Sequence, residues 1–420
     1  MDTLLEAIDV CDVDGFCYGN YTDEEAGTGC TVIVAPEGAT GGIDVRGGAP
    51  ASRETDLLRP ENTVDKVHAV CLSGGSAFGL EAASGVAREL ESRGIGLPVG
   101  PTQVPIVCSS CIFDLAFGNP TVRPDIEAGI AAVREALDHT PTRLEQGNVG
   151  AGTGATVGKL MGPATCMKAG LGAAAVALGP IKVGAVVSVN ACGNVVDPFT
   201  GEWVAGMRAA ADSDQIVDME LAAFAAAGSM QMPLDRTNTT ISCIVTNVEL
   251  TKAQATKVSQ MAADAYAHAI RPTHTTNDGD TIYTLASGKL GAQASAAPRR
   301  GYGCPCIHQI LYVSFFHTGK HDLRRCRHHH QPAVRRYVSS LHDPGRNCDI
   351  LLTSACAASY VSLIQLYLPV CSHMGQRIHI INAVRACQLG FHSCHIEHMA
   401  FAILKARVRI LYLKRAYRTF

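Results

Sequence analysis

Three apolar runs limit what this chain can fold into: CTVIVAP (Cys30–Pro36), KVHAVCL (Lys66–Leu72) and VGAVVSVNACG (Val183–Gly193). Each has the length and β-branched content of a strand. Between them lie stretches with helical spacing. Residues 124–138 open with a proline at a first-turn position and place Ile126, Ile130 and Val133 on one face. Thr251 and Gln254 have the spacing of a capping box ahead of KVSQMAADAYAHAI, whose small residues let a helix sit close to a sheet. Segments 169–180 and 205–229 share that small-residue habit without a fixed period, so no repeat architecture is expected. Strands alternating with helices predict an α/β fold for residues 1–296.

The charge balance divides the chain. Its net charge of −3 is made of 18 Lys+Arg against 34 Asp+Glu up to residue 296, or −16, and 17 against 4 in residues 297–420, or +13. The acidic part has no basic stripe, which argues against nucleic acid as a partner. The basic part holds 12 of the 16 histidines and 8 of the 17 cysteines. It has little periodicity, a composition that fits a disordered extension or a misread reading frame. Its uncharged stretch Ile350–Cys371 is long enough to span a bilayer, but its polar residues argue against membrane insertion. The opening residues MDTLLEAIDVCDVDG lack a basic start and carry acids, so a cytoplasmic protein with reduced thiols is expected.

Several motifs can be tested by spacing. In GNVGAGTGATVGKLMG (Gly147–Gly162), Thr153 stands where a phosphate loop needs glycine, and Leu160 where it needs Ser or Thr. A dinucleotide fingerprint forced on Gly150, Gly152 and Ala155 has no acid some twenty residues later. What remains is a glycine-lined approach to Lys159. In LSGGSAFGLEAASG, a nucleophile elbow centred on Ser76 would need glycine where Phe78 stands, so a strand-to-helix turn accounts for it better. Cys108 and Cys111 form a CxxC inside an apolar run and read as buried small residues. CPCIH and HSCHIEH lack the spacing of a metal site. In HTTNDGDTIYTLASG, Asp278 and Asp280 are two residues apart, so an extended backbone puts both carboxylates on one side, with Gly279 between them. Read alone, Asn-Asp-Gly is a turn.

Taken together and in order, these blocks resemble the L-aminopeptidase/D-esterase (DmpA-like) family of self-processing hydrolases, over about residues 8–296. The blocks are GTGCTVIVAPEGATGGIDVRGGAPASRETDLL, LSGGSAFGLEAASGV, VPIVCSSCIFDL, GNVGAGTGATVGK, VNACGNVVDPFTGE, NTTISCIVTN and RPTHTTNDGDTIYTLASG. The resemblance implies a four-layer α/β/β/α sandwich similar to N-terminal-nucleophile hydrolases. It implies cleavage between Asn238 and Thr239, giving an α chain (1–238) and a β chain from 239 that stay together as a homo-oligomer of αβ units. Thr239 would then be a nucleophile carrying its own base, since an α-amine titrates at about 7.7–8.0. Lys159 would lower that amine's pKa and could hydrogen-bond the hydroxyl, and Asp278 and Asp280 would orient the nucleophile. Asn190, at the end of VGAVVSVN, would donate to the oxyanion, a contact whose deletion typically costs about 2.7–4 kcal/mol. The expected substrate is a small peptide or amide, hydrolysed without cofactor or metal. A serine esterase using Ser76 and an inactive binding homologue are the alternatives. The sequence departs from the family in two places. Phe113 stands near where a tyrosine is often found, and the tail has no equivalent of the family's final apolar helix.

Overall fold

The computed structural model describes residues 6–198, 200–228 and 238–290, all within one compact unit. In chain order its main elements are β1 (Glu6–Ile8), β2 (Cys17–Asp23), β3 (Thr28–Val45), β4 (Val67–Ser73), α1 (Ala82–Ser92), β5 (Val107–Cys111), α2 (Ile126–Arg134), β6 (Leu171–Leu178), β7 (Ile181–Asn190), α3 (Met219–Gly228), β8 (Thr239–Thr246), α4 (Lys252–Ala269) and β9 (Thr281–Ala286). The strands run in the order β1-β6-β7-β8-β9-β3-β4-β5, and β2 pairs with β3. Only β8–β9 and β4–β5 are parallel among these neighbours.

The first apolar run is longer than its sequence suggests, because Pro36 does not end it. β3 continues to Val45 through a register shift between Val34 and Ala39. Proline lacks the N–H a ladder needs, and a bulge is where a strand tolerates that loss. Residues 28–34 pair with β2, residues 30–34 and, past the bulge, Ala39 pair with β4, and residues 40–45 pair with β9. One strand thus serves two sheets.

Alternation along the strands sorts the side chains into layers. Ile241, Cys243 and Val245 of β8, with Tyr283 and Leu285 of β9, meet Ile33, Val70 and Leu72 in a core between the sheets. Their neighbours Ile244 and Ile282 face the other way, onto Ala255, Ala262 and Tyr266 of α4. On the far side Val32, Val34, Ala69 and Cys71 pack against α1 and α2. The result is the α/β/β/α order of layers.

Thr251 and Gln254 form the expected capping box of α4. The start of α2 differs from expectation. Pro124 lies outside it, and Asp125 is the N-cap, its carboxylate accepting from the Ala128 N–H at 3.0 Å. The packed face of α2 is Ala128, Gly129, Ala132 and Val133, with Ile126 and Ile130 only half-buried. At the crossing with α1, a Cβ on Gly85 would stand 1.9 Å from the Ile126 carbonyl, and one on Gly129 2.0 Å from that of Ala82. Segment 169–180 also departs from the helical habit. LGAAAVAL is β6, paired over its full length with β7 across the two-residue turn Gly179–Pro180. Its alanines fill the space beside larger side chains of the neighbouring strands, with Ala173 and Ala175 in the intersheet core and Val176 on the α4 side.

Cys108 and Cys111 are both buried and free in β5, and burial pushes both thiols up. Among the described residues no helix is long and apolar enough to cross a membrane. The boundary at 296 and the tail with its His/Cys clusters and Ile350–Cys371 lie outside the described residues.

Candidate active site

A parallel strand pair needs a crossover, and α4 supplies it between β8 and β9. The two strands therefore begin at the same end of the sheet. Their register, Ile241 beside Thr281 and so on at a constant offset of 40, continues backwards to set Gly279 beside Thr239 and Asp280 beside Thr240. Asn238 bridges to Asp278 one step earlier. On the other flank β7 runs antiparallel to β8, so its last residue, Asn190, is the cross-strand partner of Thr239. The residues after it hold the glycine-rich segment through backbone bonds, Gly158 N–H to Gly193 O at 3.1 Å and Lys159 N–H to Cys192 O at 3.0 Å. Lys159, Asn190, Thr239, Asp278 and Asp280, far apart in sequence, are thereby gathered around one strand start.

Asn238, Thr239, Asn190, Asp278 and Asp280 are buried. The Thr239 hydroxyl donates to the carbonyl oxygen of Asn238, the residue before it. That oxygen also accepts the Gly279 N–H at 3.0 Å. Gly279 must be glycine, since a Cβ there would lie 2.8 Å from Thr239 Oγ1 and 2.9 Å from the Ala49 carbonyl. The loop after β3 closes over the same stretch, with Ala49 N–H on Asp278 O at 2.8 Å and Arg46 N–H on Asp280 O at 3.0 Å. A Cβ on Gly47 would reach within 2.3 Å of the Asp278 carbonyl.

Lys159 Nζ donates to the Asn190 carbonyl at 3.0 Å and to Asn190 Oδ1 at 2.5 Å. Burial of its ammonium is the main cause that brings its pKa down to about 7, against the pull of Asp278 and Asp114. The Asn190 amide nitrogen donates to the Phe113 carbonyl at 2.9 Å, and Oδ1 also accepts the Thr156 N–H at 3.0 Å. Phe113 therefore serves through its backbone. The segment carrying Lys159 is tied down by Lys168, whose Nζ donates to the carbonyls of Gly152, Ala155 and Ala169 at 3.0, 2.9 and 2.7 Å.

The two carboxylates have different surroundings. Asp280 accepts from Thr240 N–H at 2.7 Å on one oxygen, and on the other from His274 N–H at 3.0 Å, Thr273 Oγ1 at 3.2 Å and the His274 ring at 2.8 Å. Asp278 accepts from Thr275 N–H at 2.9 Å, Thr275 Oγ1 at 2.5 Å and the Cys192 N–H. Burial, then the charge of Asp280, raises its pKa. The turn read from Asn-Asp-Gly lies just before, with Asp278 N–H on Thr275 O at 3.1 Å.

Ser76 sits at the end of β4 in the other sheet, at the start of a short 3₁₀ turn with φ of 54°. Its N–H donates to Ile112 O at 2.9 Å, and the turn is pinned by buried Asp114, which accepts from Gly75 N–H and the Thr28 hydroxyl, each at 2.7 Å. Burial raises the Asp114 pKa, and the Lys159 charge is among the opposing influences. Among the described residues no group of three or more His, Cys, Asp or Glu is placed to hold a metal ion.

Comparison with known proteins places the chain in a family. Residues 9–317 match Peptidase family S58. An uncharacterized aminopeptidase of Mycobacterium leprae is 40% identical over 68% of this chain and 80% of its own length. A 6-aminohexanoate-oligomer endohydrolase of Kocuria sp. is 32% identical over 69% of this chain and 78% of its own. The solved L-aminopeptidase D-Ala-esterase/amidase of Ochrobactrum anthropi, described as a variant of the Ntn hydrolase fold, superposes with a TM-score of 0.54. That alignment covers 75% of this chain and 85% of that one, at 15% identity. Matched across most of its length and resembling relatives along most of theirs, the chain belongs to Peptidase family S58 and has an N-terminal-nucleophile hydrolase fold.

Proposed function

We propose that the chain cuts itself between Asn238 and Thr239 and then hydrolyses amide bonds of small peptides or oligoamides through an acyl-Thr239 intermediate. The observation that carries this reading is the hydrogen bond from the Thr239 hydroxyl to the carbonyl of the residue before it, with the Gly279 N–H on the same oxygen. In the first step Thr239 Oγ attacks the Asn238 carbonyl carbon and gives up its proton. Negative charge develops on the carbonyl oxygen, where Gly279 N–H stands at a distance suited to an oxyanion donor. The C–N bond then breaks, Thr239 nitrogen takes a proton and leaves as an amine, and an ester joins the two residues. Water hydrolyses the ester, leaving a carboxylate on Asn238 and a free α-amine beside the Thr239 hydroxyl.

In the mature site the same hydroxyl attacks a substrate amide, with the α-amine as base. Lys159, near pH 7 divided between its charged and neutral forms, exchanges protons with this pair. Asn190 donates to the substrate oxyanion, and Asp278 and Asp280 orient the nucleophile. The αβ units act as a homo-oligomer in the cytoplasm. The names of the mycobacterial and Kocuria relatives, one an aminopeptidase and one an oligoamide hydrolase, support amides as the substrate class.

The test is the intact mass and N-terminal sequence of the purified protein, followed by turnover of alanine 4-nitroanilide and a 4-nitrophenyl ester. Two chains, one starting at Thr239, are expected, with T239A inactive on both probes and S76A active. A single uncut chain with full turnover, or S76A inactive beside an active T239A, overturns the reading.

A further inference from the structure

His274 has no part in the chemistry above, yet it is bonded to the group that holds the nucleophile's strand. Nδ1 lies 2.8 Å from Asp280 Oδ2 and Nε2 lies 3.3 Å from the Ala263 carbonyl. Both partners are acceptors, so both ring nitrogens must donate, which only the doubly protonated ring can do. Asp280 in turn receives donors on both oxygens, the pattern of a carboxylate. The backbone of His274 has φ of 54°, a conformation a non-glycine residue adopts at a cost. That backbone brings the N–H and the ring of one residue onto a single carboxylate oxygen. The ring stacks on Tyr266 of α4, with centroids 5.6 Å apart and planes 21° apart, and the Tyr266 hydroxyl donates to Ser242 of β8 at 2.9 Å.

We propose that His274 is a positioning residue for the nucleophile: its imidazolium clamps Asp280, whose other oxygen holds the Thr240 N–H and thereby sets Thr239 against the scissile carbonyl. This rests on the self-cleavage reading above. The ionisable groups facing the ring are Asp280 before β9, Arg46 after β3 and the Tyr266 hydroxyl on α4. Burial is the largest single influence and pulls the ring's pKa down, but the hydrogen bond to Asp280, the charge of Asp280 and the Ala263 carbonyl together outweigh burial and Arg46, and His274 is held above its ordinary pKa. The clamp is complete below that raised value and weakens as pH rises through it.

Two variants separate a clamp from a packing role. H274Q keeps an N–H donor for Asp280 and loses the ring; H274F keeps the ring on Tyr266 and loses the donor. The measurement is the rate at which freshly folded precursor splits into two chains, followed by gel from pH 5.5 to 9, then kcat and KM on alanine 4-nitroanilide. H274F should split at least roughly tenfold more slowly, the loss of one hydrogen bond to a charged group, and H274Q within a few-fold of wild type. The wild-type advantage over H274Q should shrink as pH rises. An H274F that splits and turns over like wild type overturns the proposal, since the ring then serves packing alone; so do two variants equally impaired or equally unfolded, since the kept donor of H274Q then rescues nothing. A wild type that never splits is seen before any variant is compared; it removes the self-cleavage reading, and this inference with it.

Discussion

On the β9 flank of Thr239, both oxygens of Asp280 are met by donors from Thr240, Thr273 and His274, and Asp278 is met by Thr275 and Cys192. On the β7 flank a lysine ammonium leans on the two oxygens of Asn190, in a setting that burial makes unfavourable for charge. Charge-assisted bonds converging on a carboxylate hold geometry. A buried cation whose pKa has fallen to about 7 can give up a proton at neutral pH without leaving its place. On the function proposed above, one flank would fix the nucleophile and the other would move its protons. Thr239 sits between them because an antiparallel and a parallel neighbour meet at the start of its strand.

The comparison collapses if the residue between the flanks is not the reacting one. T239A should lower turnover by roughly 10⁴-fold or more and leave a single uncut chain, both read on the same preparation. Next in size is the proton-moving flank. K159M should cost roughly 10²–10⁴-fold in turnover, the range of a lost acid–base group, and should remove the limb of the wild-type rate profile that rises through about pH 7. Stability offers an independent reading. Lys159 titrates near 7 in the folded chain and at its ordinary 10.5 in the unfolded chain. Between those values the unfolded chain binds more protons, so the residue's contribution to stability rises with pH across that window. Urea midpoints of wild type should therefore gain on those of K159M from pH 7 to 10. A constant difference between them would mean that Lys159 titrates as an ordinary surface lysine.

The geometry-holding flank is probed by G279A. The backbone there needs no left-handed conformation, so the added methyl acts through space, 2.8 Å from Thr239 Oγ1 and 2.9 Å from the Ala49 carbonyl. A displacement of the nucleophile by about 1 Å costs roughly 10²-fold. The half-time of self-cleavage should lengthen by about that factor, and the melting temperature should fall as well, because a backbone carbonyl must give way. Equal cleavage rates would mean that Gly279 is not at the reacting carbonyl.

What the sequence made legible follows from what it encodes by side chain. β-branched runs announced β4, β7 and the first half of β3, and the spacing of Asp278 and Asp280 marked the entrance to β9. Pro36 concealed the second half of β3, because a bulge and a strand end look alike in a string of letters. LGAAAVAL concealed β6, since alanine has the propensity of a helix former and becomes a strand here by pairing over its full length with β7 and, on the other edge, with β1. Around the site the missed partners are mostly backbone groups, namely the Gly279 and Cys192 N–H and the Phe113 carbonyl. Backbone groups carry no residue identity, and only the fold says where they point. His274 stood in the same string as the two aspartates, but its tie to Asp280 depends on a positive φ that its letter does not advertise.

The smallest effect should come from the carboxylate on the same flank that is less fully bonded. The Thr275 hydroxyl gives Asp278 Oδ2 a bond of 2.5 Å and the Thr275 N–H a second of 2.9 Å, so T275V removes one donor and keeps the other in nearly the same volume. Burial and the charge of Asp280 already raise the Asp278 pKa, and the Thr275 bonds oppose that rise. A hydrogen bond to a charged group is worth about 1.5–3 kcal/mol, so losing the hydroxyl should move the acid side of the rate profile to higher pH. At pH 8, where the ionised carboxyl is favoured, T275V should come closest to wild type. At pH 5 the variant should fall further behind, because losing the hydroxyl makes Asp278 easier to protonate. A profile that moves at both pH values alike would assign Thr275 to shaping the turn, and would leave Asp280 with its His274 partner as the one carboxylate of the flank on which the nucleophile depends.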